Sequence, residues 1–499
     1  MGARLGNSPG GVPVQFSFER PEMRLHGSLV GTKLSLALVA LFAAGAIAAK
    51  AADAGKATPF LTLPLIPSAA APGSPGFELT VNGTGFSAHS KVSWDGHPLV
   101  TRFVSDHELR AAVPAANLAA VSTATVTVWS PGDRTSDPAY FEVTNPAGKV
   151  SLSGQSVSAG TNPSGIAAGD FNGDGIPDLA VTEYDNANGH DIVVLLGKGD
   201  GTFQAPVRCP TGLGPFAVIA ADFNHDGKLD LAVSDEFDNA VSILLGNGDG
   251  TFQPQKKAIT PTYPHELAAA DFDGDGNLDL AINGSSNGFL GVMLGNGDGT
   301  FKPEQVYITT WGLAGAVSPA PGDFNGDGKL DLAVLSGQGV GVMLGKGDGS
   351  FSKPAYYEAA PVAASEVVAD FNGDGKLDVA VAGSSLKGGG VLAILLGNGD
   401  GTFRTHVDYP CSGEPKYMLA ADLNGDGKLD LAVTDAATGK VHEFRGKGDG
   451  EFQAPADLEA GGHRALFLAA GDFTRDGRLD LAVVNADTNS VSVLLGSAH

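Results

Sequence analysis

Between residues 58 and 145 the chain alternates short apolar–polar runs with turn residues. Phe77-Glu78-Leu79-Thr80-Val81 has the period of two of a half-buried strand, and Asn82-Gly83-Thr84-Gly85 breaks it. Lys91-Val92-Ser93-Trp94 turns at Asp95-Gly96, Leu109 to Val113 stops at Pro114, and Ala124 to Trp129 stops at Ser130-Pro131-Gly132. Tyr140-Phe141-Glu142-Val143-Thr144 closes the segment. Six or seven such strands predict an immunoglobulin-like sandwich. From residue 150 the pattern becomes a repeat. An apolar strand runs into the phrase D-x-[ND]-x-D-G-x-x-D, then into a second strand such as Leu229-Asp230-Leu231-Ala232-Val233. A third follows, such as Val241 to Leu245, and a glycine-rich turn ending G-D-G-x-F leads to a fourth. Four short strands per unit, with no helix-period segment between them, predict propeller blades.

The phrase begins at Asp170, Asp222, Asp271, Asp323, Asp370, Asp422 and, with one change, Asp472. The expected fold class is therefore all-β, a sandwich at 58–145 followed by a seven-bladed β-propeller at 150–499. The last unit stops at its third strand, Val491 to Gly496, while residues 150–158 align with fourth strands elsewhere. That N-terminal strand is expected to complete the last blade and leave few exposed edges. Ahead of the sandwich, Leu34 to Ala49 is a 16-residue apolar run behind Lys33. It is short for a membrane span and is followed by small residues, so 1–51 are expected to be a signal peptide or N-terminal anchor and 52–57 a linker. Met23 would make a tidier start for that segment. Export makes a secreted or surface location the expectation.

Composition narrows the function classes. With 31 Lys+Arg against 56 Asp+Glu the net charge is −25, which excludes a phosphate-gripping nucleic-acid binder. Two cysteines, Cys209 and Cys411, exclude a disulfide-stapled scaffold and are expected to be free thiols. Glycine, at 71 residues, has no period of three and so no collagen reading.

The acidic residues are organised. In the first phrase side-chain oxygens recur at Asp170, Asn172, Asp174 and Asp178, Gly175 supplies a sharp turn, and the carbonyl of Ile176 is free to point inward. Hard, oxygen-rich ligation of this kind suits Ca²⁺. The equivalent sets are Asp222, Asn224, Asp226, Lys228 and Asp230; Asp271, Asp273, Asp275, Asn277 and Asp279; Asp323, Asn325, Asp327, Lys329 and Asp331. They continue with Asp370, Asn372, Asp374, Lys376 and Asp378; Asp422, Asn424, Asp426, Lys428 and Asp430; Asp472, Thr474, Asp476, Arg478 and Asp480. The Lys, Asn and Arg at position 7 enter only through their carbonyls. Position 12 is Val or Ile throughout, where an EF-hand needs a bidentate Glu, so the loops are not EF-hands. The third loop, with four carboxylates, is expected to bind most tightly and the seventh, with Thr474, most weakly. Asp and Asn also form such turns unaided, but seven loops in register favour metal. The aspartates of the G-D-G turns are expected to serve the turn alone.

Two resemblances follow. The order G-T-G-F, V-S-W-D-G, V-P and a closing F-x-V-T resembles the IPT/TIG family. The seven phrases resemble the FG-GAP (VCBS-type) repeats of integrin α-subunit propellers. That resemblance implies calcium held by side chains 1, 3, 5 and 9 and the carbonyl of residue 7, and a ligand bound on the opposite face.

In an up-and-down blade the metal loops and G-D-G turns share one face, and the two–three turns and blade-to-blade connections the other. Tyr263, Tyr307, Tyr356, Tyr357, Tyr409 and Tyr417, with Trp311, fall near the second face and are the expected ligand-binding residues. They show no fixed place in the repeat. Catalytic signals are weak: Gly284 to Gly288 matches G-x-S-x-G without a following helix, and His265-Glu266 and His442-Glu443 lack the second His of H-E-x-x-H. The expected function is a calcium-stabilised recognition or adhesion protein for an extracellular protein or glycan, and not an enzyme. A carbohydrate-binding or polysaccharide-degrading propeller and a purely structural envelope protein are the rivals.

Overall fold

The computed structural model describes residues 59–499 except 68, 121, 132–133, 137–138, 144–148, 152–155, 185–189, 261–262, 285–287, 310–318, 337–338, 387 and 498–499. The apolar run at 34–49 and Trp311 lie outside the described residues. Among the described residues no helix is long and apolar enough to cross a membrane.

The first domain is an immunoglobulin-like sandwich. One sheet runs Phe60–Ile66, Phe77–Thr84, Glu108–Val113, Val100–Phe103, and the other runs Ala69–Ala70, Ala139–Val143, Ser122–Ser130, Lys91–Trp94, His97–Pro98. Inward positions alternate along the strands, as their period requires: Leu79, Val81, Leu109, Val126 and Phe141 are fully buried. Trp94 packs on Phe141 with ring centroids 5.0 Å apart.

Beyond it the chain forms a series of antiparallel four-stranded sheets, each built from consecutive strands, as in propeller blades. The first comprises Pro163–Gly169, Asp178–Glu183, Asp191–Leu195 and Val207–Pro210, and five more repeat the order. A seventh sheet holds Ala465–Gly471, Asp480–Asn485 and Ser490–Ser497. Its outer edge is paired by Lys149–Ser151 and Ser156–Ser158, both antiparallel to the last strand. Second strands such as Asp230–Asp235 are buried at every position, because neighbouring sheets cover both faces. This is why they read as runs (D-L-A-V) and not as alternations. Fourth strands such as Lys256–Ile259 lie at the outside and alternate half-buried with exposed.

Neighbouring sheets are tied by one recurrent device. The second glycine of each G-D-G turn donates its N–H to the carbonyl of the Phe at position 2 of the preceding phrase. Gly250 reaches Phe171 at 2.9 Å, Gly299 reaches Phe223 at 3.1 Å and Gly401 reaches Phe324 at 2.8 Å. The Phe of the turn then meets that same Phe edge-on, as for Phe252 and Phe171 at 5.7 Å and Phe403 and Phe324 at 5.8 Å. Gly201 of the first sheet makes the bond to Phe473 of the last, at 2.9 Å, and Phe203 meets Phe473 at 5.9 Å. The innermost strands pack against one another in sequence, and Ala465–Gly471 packs against Pro163–Gly169.

Candidate metal loops and ligand-facing surface

Each phrase folds into a loop whose side-chain oxygens turn inward. Asp170 Oδ1 accepts from the N–H of Gly173 at 2.8 Å and of Asp174 at 3.1 Å, and its Oδ2 accepts from Gly175 at 2.8 Å. Asn172 Oδ1 accepts from Asp174 and Asp174 Oδ1 from Ile176, both at 2.9 Å. Gly175 stands at φ +78°, the left-handed region that closes the loop. Asp178 opens the second strand fully buried, with Oδ2 accepting from Phe171 at 2.9 Å and Oδ1 from Gly197 at 2.7 Å.

The same bonds recur at Asp222 and Asp230, Asp271 and Asp279, Asp323 and Asp331, and Asp370 and Asp378. The glycine two residues before each G-D-G turn, with Gly496 as its counterpart in the last unit, is thus a working part of the loop. Gly197, Gly246, Gly295, Gly345, Gly397, Gly446 and Gly496 each donate to the position-9 carboxylate. A side chain there would meet backbone: a Cβ on Gly246 would lie 2.2 Å from the Leu229 carbonyl. Sequence reading gave these glycines only a turn, because their distance from position 9 varies between 14 and 19 residues.

The electrostatics of the loops call for a counter-charge. Burial, opposed by the backbone N–H bonds and reinforced by the aspartates at positions 1 and 5, pushes Asp178 up to about 7. Asp230, Asp378 and Asp480 go up to about 7, Asp331 to about 6 and Asp430 to about 8, again chiefly through burial. Asp279 goes furthest, to about 9, from burial and then the charges of Asp271 and Asp273. In that loop Asp271, Asp273 and Asp275 bring carboxylate oxygens within 4.8 Å of one another. Lys302 approaches Asp273 and Asp275 at 3.7 Å each.

The last two loops differ from the others at position 3. Asn424 and Thr474 turn to the position-9 carboxylate, Asn424 Nδ2 donating to Asp430 Oδ2 at 3.0 Å and Thr474 Oγ1 to Asp480 Oδ2 at 3.3 Å. This leaves Asn424 Oδ1 buried with no partner. An oxygen-only donor set, clustered carboxylates raised by burial and an orphaned amide oxygen fit a hard cation of the Ca²⁺ type. The residues able to hold it are side chains 1, 3, 5 and 9 of each loop.

The aspartates of the G-D-G turns are exposed and do something else. Asp249 Oδ1 accepts from the Thr251 N–H at 3.0 Å and the Thr251 hydroxyl at 2.6 Å, and the hydroxyl bond first of all holds it below its usual range.

The tyrosines divide into two groups. Tyr307, Tyr357 and Tyr409 occupy equivalent places on fourth strands and lean on the next sheet's turn phenylalanine, Phe351, Phe403 and Phe452, at 6.0, 5.1 and 5.9 Å. Tyr307 and Tyr409 accept from those Phe N–H groups, and Tyr357 donates to the Gly401 carbonyl at 3.1 Å. So three tyrosines do repeat at a fixed position, where they pack between sheets. Tyr356 and Tyr263 are exposed, by 40% and 45%. Tyr417 is turned inward beside Phe467, at 4.6 Å.

Other aromatic residues appear on the same face. Phe237, in the turn after Asp230–Asp235, is 42% exposed and lies 5.7 Å from Tyr184. Tyr184 meets Phe216 edge-on at 5.4 Å, and Phe216 stacks on His265 at 3.4 Å. Their sequence signal was slight: Phe216 and His265 each follow the proline that opens an inner strand. On the loop side the sandwich is present instead. Phe60 packs against the core that includes Phe223 and Leu278, and a cavity of about 470 Å³ lies between His107 and Arg110 above and Asp323 and Asp370 below.

His442 is fully buried beside Ser412 and Asp457, an arrangement that invites comparison with a catalytic triad. Its Nδ1 lies 2.8 Å from Asp457 Oδ1, while Nε2 lies 3.2 Å from the Ser412 carbonyl and 3.3 Å from Asp435 Oδ2. Nε2 lies 3.5 Å from the Ser412 hydroxyl but closer to the two acceptors, which is not the serine–base geometry of a triad.

The fold and its loops define a repeat protein of blade-like sheets. FG-GAP-like repeats match residues 177–233, 232–282, 271–334, 323–381, 370–433 and 422–483, and an IPT/TIG domain matches 64–143. The chain belongs to the FG-GAP-like repeat family. Comparison with curated proteins returns no sequence match. Among solved structures it is similar to an Agrocybe aegerita lectin that recognises non-reducing terminal N-acetylglucosamine, with 19% identity, 74% of this chain and 96% of that one covered, and a TM-score of 0.42. It is also similar to a Lactobacillus plantarum protein, with 14% identity, coverage of 68% and 96% and a TM-score of 0.44. An auxiliary nutrient binding protein from Bacteroides ovatus gives 12%, 88% and 97%, and 0.38.

Proposed function

We propose that this is an exported, calcium-stabilised seven-bladed propeller that recognises an extracellular protein or glycan through the face opposite the metal loops. One observation carries the choice of face. Six of the exposed large hydrophobic residues (Phe237, Ile259, Tyr263, Ile308, Val362, Leu386) sit in the two–three turns, at the ends of fourth strands or at the starts of inner strands. Large apolar side chains left exposed at loops and strand ends are what a recognition surface supplies. The loop side, by contrast, carries the sandwich over part of its area.

Calcium has a structural part in this reading. It neutralises the buried carboxylates and fixes the loops that anchor each G-D-G turn. Phe237 beside Tyr184 also offers a sugar ring a stacking surface, which keeps a glycan among the ligands to be tested. The test is a glycan-array and protein-binding screen in saturating calcium, repeated with Phe237→Ala and Tyr263→Ala. Binding that both substitutions abolish, with the melting temperature unchanged, supports the reading. Binding indifferent to both refutes the choice of face.

A further inference from the structure

The third loop differs from the other six in what surrounds its carboxylates. It alone has Asp at position 3, Asp273, where the others have Asn172, Asn224, Asn325, Asn372, Asn424 and Thr474. Its own backbone takes one oxygen of each central carboxylate: Asp273 Oδ1 accepts from the Asp275 N–H at 3.1 Å, and Asp275 Oδ1 from the Asn277 N–H at 2.9 Å. The other two oxygens, Asp273 Oδ2 and Asp275 Oδ2, each lie 3.7 Å from Lys302 Nζ. Lys302 follows the turn phenylalanine Phe301, and its backbone N–H is fixed to the Leu294 carbonyl at 2.7 Å. The matching places hold Gln204, Gln253, Ser352, Arg404 and Gln453. Among the described residues only Lys302 forms an ion pair with its own loop from that place. Elsewhere a cation reaches its loop from position 7 and touches position 5 alone, as Lys329 does with Asp327 at 3.3 Å and Arg478 with Asp476 at 3.1 Å. In the third loop position 7 is Asn277, whose side chain meets His225 Nε2 at 3.0 Å instead.

Lys302 therefore spans positions 3 and 5, two of the side chains that fit a hard cation. An ammonium and a divalent cation repel each other and compete for the same oxygens. We propose that Lys302 is a tethered counter-ion of the third loop, which calcium displaces, so that this loop fills at a higher calcium concentration than its four carboxylates alone would set. Charge count makes the third loop the tightest of the seven. Lys302 opposes that, and it keeps Asp273 and Asp275 neutralised when calcium is scarce. The lysine side chain is placed to leave, being 44% exposed against 15% for Asp273 and 30% for Asp275. With Lys256 and Lys257 it also lines a groove of about 350 Å³, which has room for the released ammonium. The inference rests on the calcium reading of the loops and gives the third one a reversible part within it.

Two measurements on the full chain, both resolved by peptide in a mass spectrometer, test it. Acetylation by sulfosuccinimidyl acetate should speed up at Lys302 by about two- to fivefold when calcium replaces EDTA, the scale of a released surface ion pair. Lys346, an exposed lysine just ahead of a G-D-G turn, should react equally in both. Hydrogen exchange over residues 271–279 should slow as calcium rises. Lys302→Met should move the midpoint of that protection to calcium about two- to fivefold lower, for the same reason. It should leave the midpoint over residues 370–378 in place, and without calcium it should speed exchange over 271–279 alone. If calcium protects the loops while Lys302 acetylation stays constant, or while the midpoint stays put in Lys302→Met, the proposal is overturned and the calcium reading stands. If no loop gains protection from calcium, both fall.

Discussion

The backbone N–H of Gly201 donates to the carbonyl of Phe473 at 2.9 Å, joining the first four-stranded sheet to the last with the bond that also joins the first six sheets in series; the last unit has no G-D-G turn to make it to the sixth. If this latch closes a ring, Phe473 is worth as much as a latch phenylalanine inside the series. Phe473→Ala and Phe324→Ala should each cost about 3–5 kcal/mol in urea unfolding, the usual range for a buried phenylalanine. A far smaller loss at Phe473 would mean that the ends of the series are not locked together.

The tyrosines should separate stability from recognition. Tyr357→Phe removes the bond to the Gly401 carbonyl and should cost about 1 kcal/mol, with Tyr357→Ala costing more through the lost contact with Phe403. Tyr263→Ala, at an exposed ring, should fall within about 0.5 kcal/mol of the parent protein. Thermal melts of the three variants check the order.

Glu366 gives a pH dependence of definite sign. Its folded carboxyl is held far above the ordinary 4.5, so the folded chain keeps a proton that the unfolded chain gives up. The contribution is whole below pH 4.5 and is lost as pH rises through the folded value. Glu366→Gln does not titrate, so its melting temperature relative to the parent should climb between pH 4.5 and 8. A flat difference across that range would contradict a buried neutral carboxyl.

Much of the strand plan was legible because period two in the sandwich and the repeated D-L-A-V runs reflect burial on one face or on both. The metal-type loops were legible because their oxygens are local, within nine residues of chain. Contacts across sheets were not. Nothing at Tyr307, Tyr357 or Tyr409 tells that the ring meets the next unit's phenylalanine, since the partner lies about 44 residues on and is brought near only by stacking of the sheets. The burial of Glu366 and the stacking of His265 on Phe216 left no mark for the same reason: each depends on packing between separate inner strands. The turn of Asn424 and Thr474 toward position 9 is a choice between two local bonds, which composition does not decide.

The loops hold the central claim, and chelation addresses it directly. Scanning calorimetry of the full chain should show a melting temperature lower by several degrees after exhaustive EDTA treatment. Calcium at about 1 mM, within the range that fills extracellular modules, should restore it, and magnesium should not. The same melting temperature with and without calcium would contradict the account.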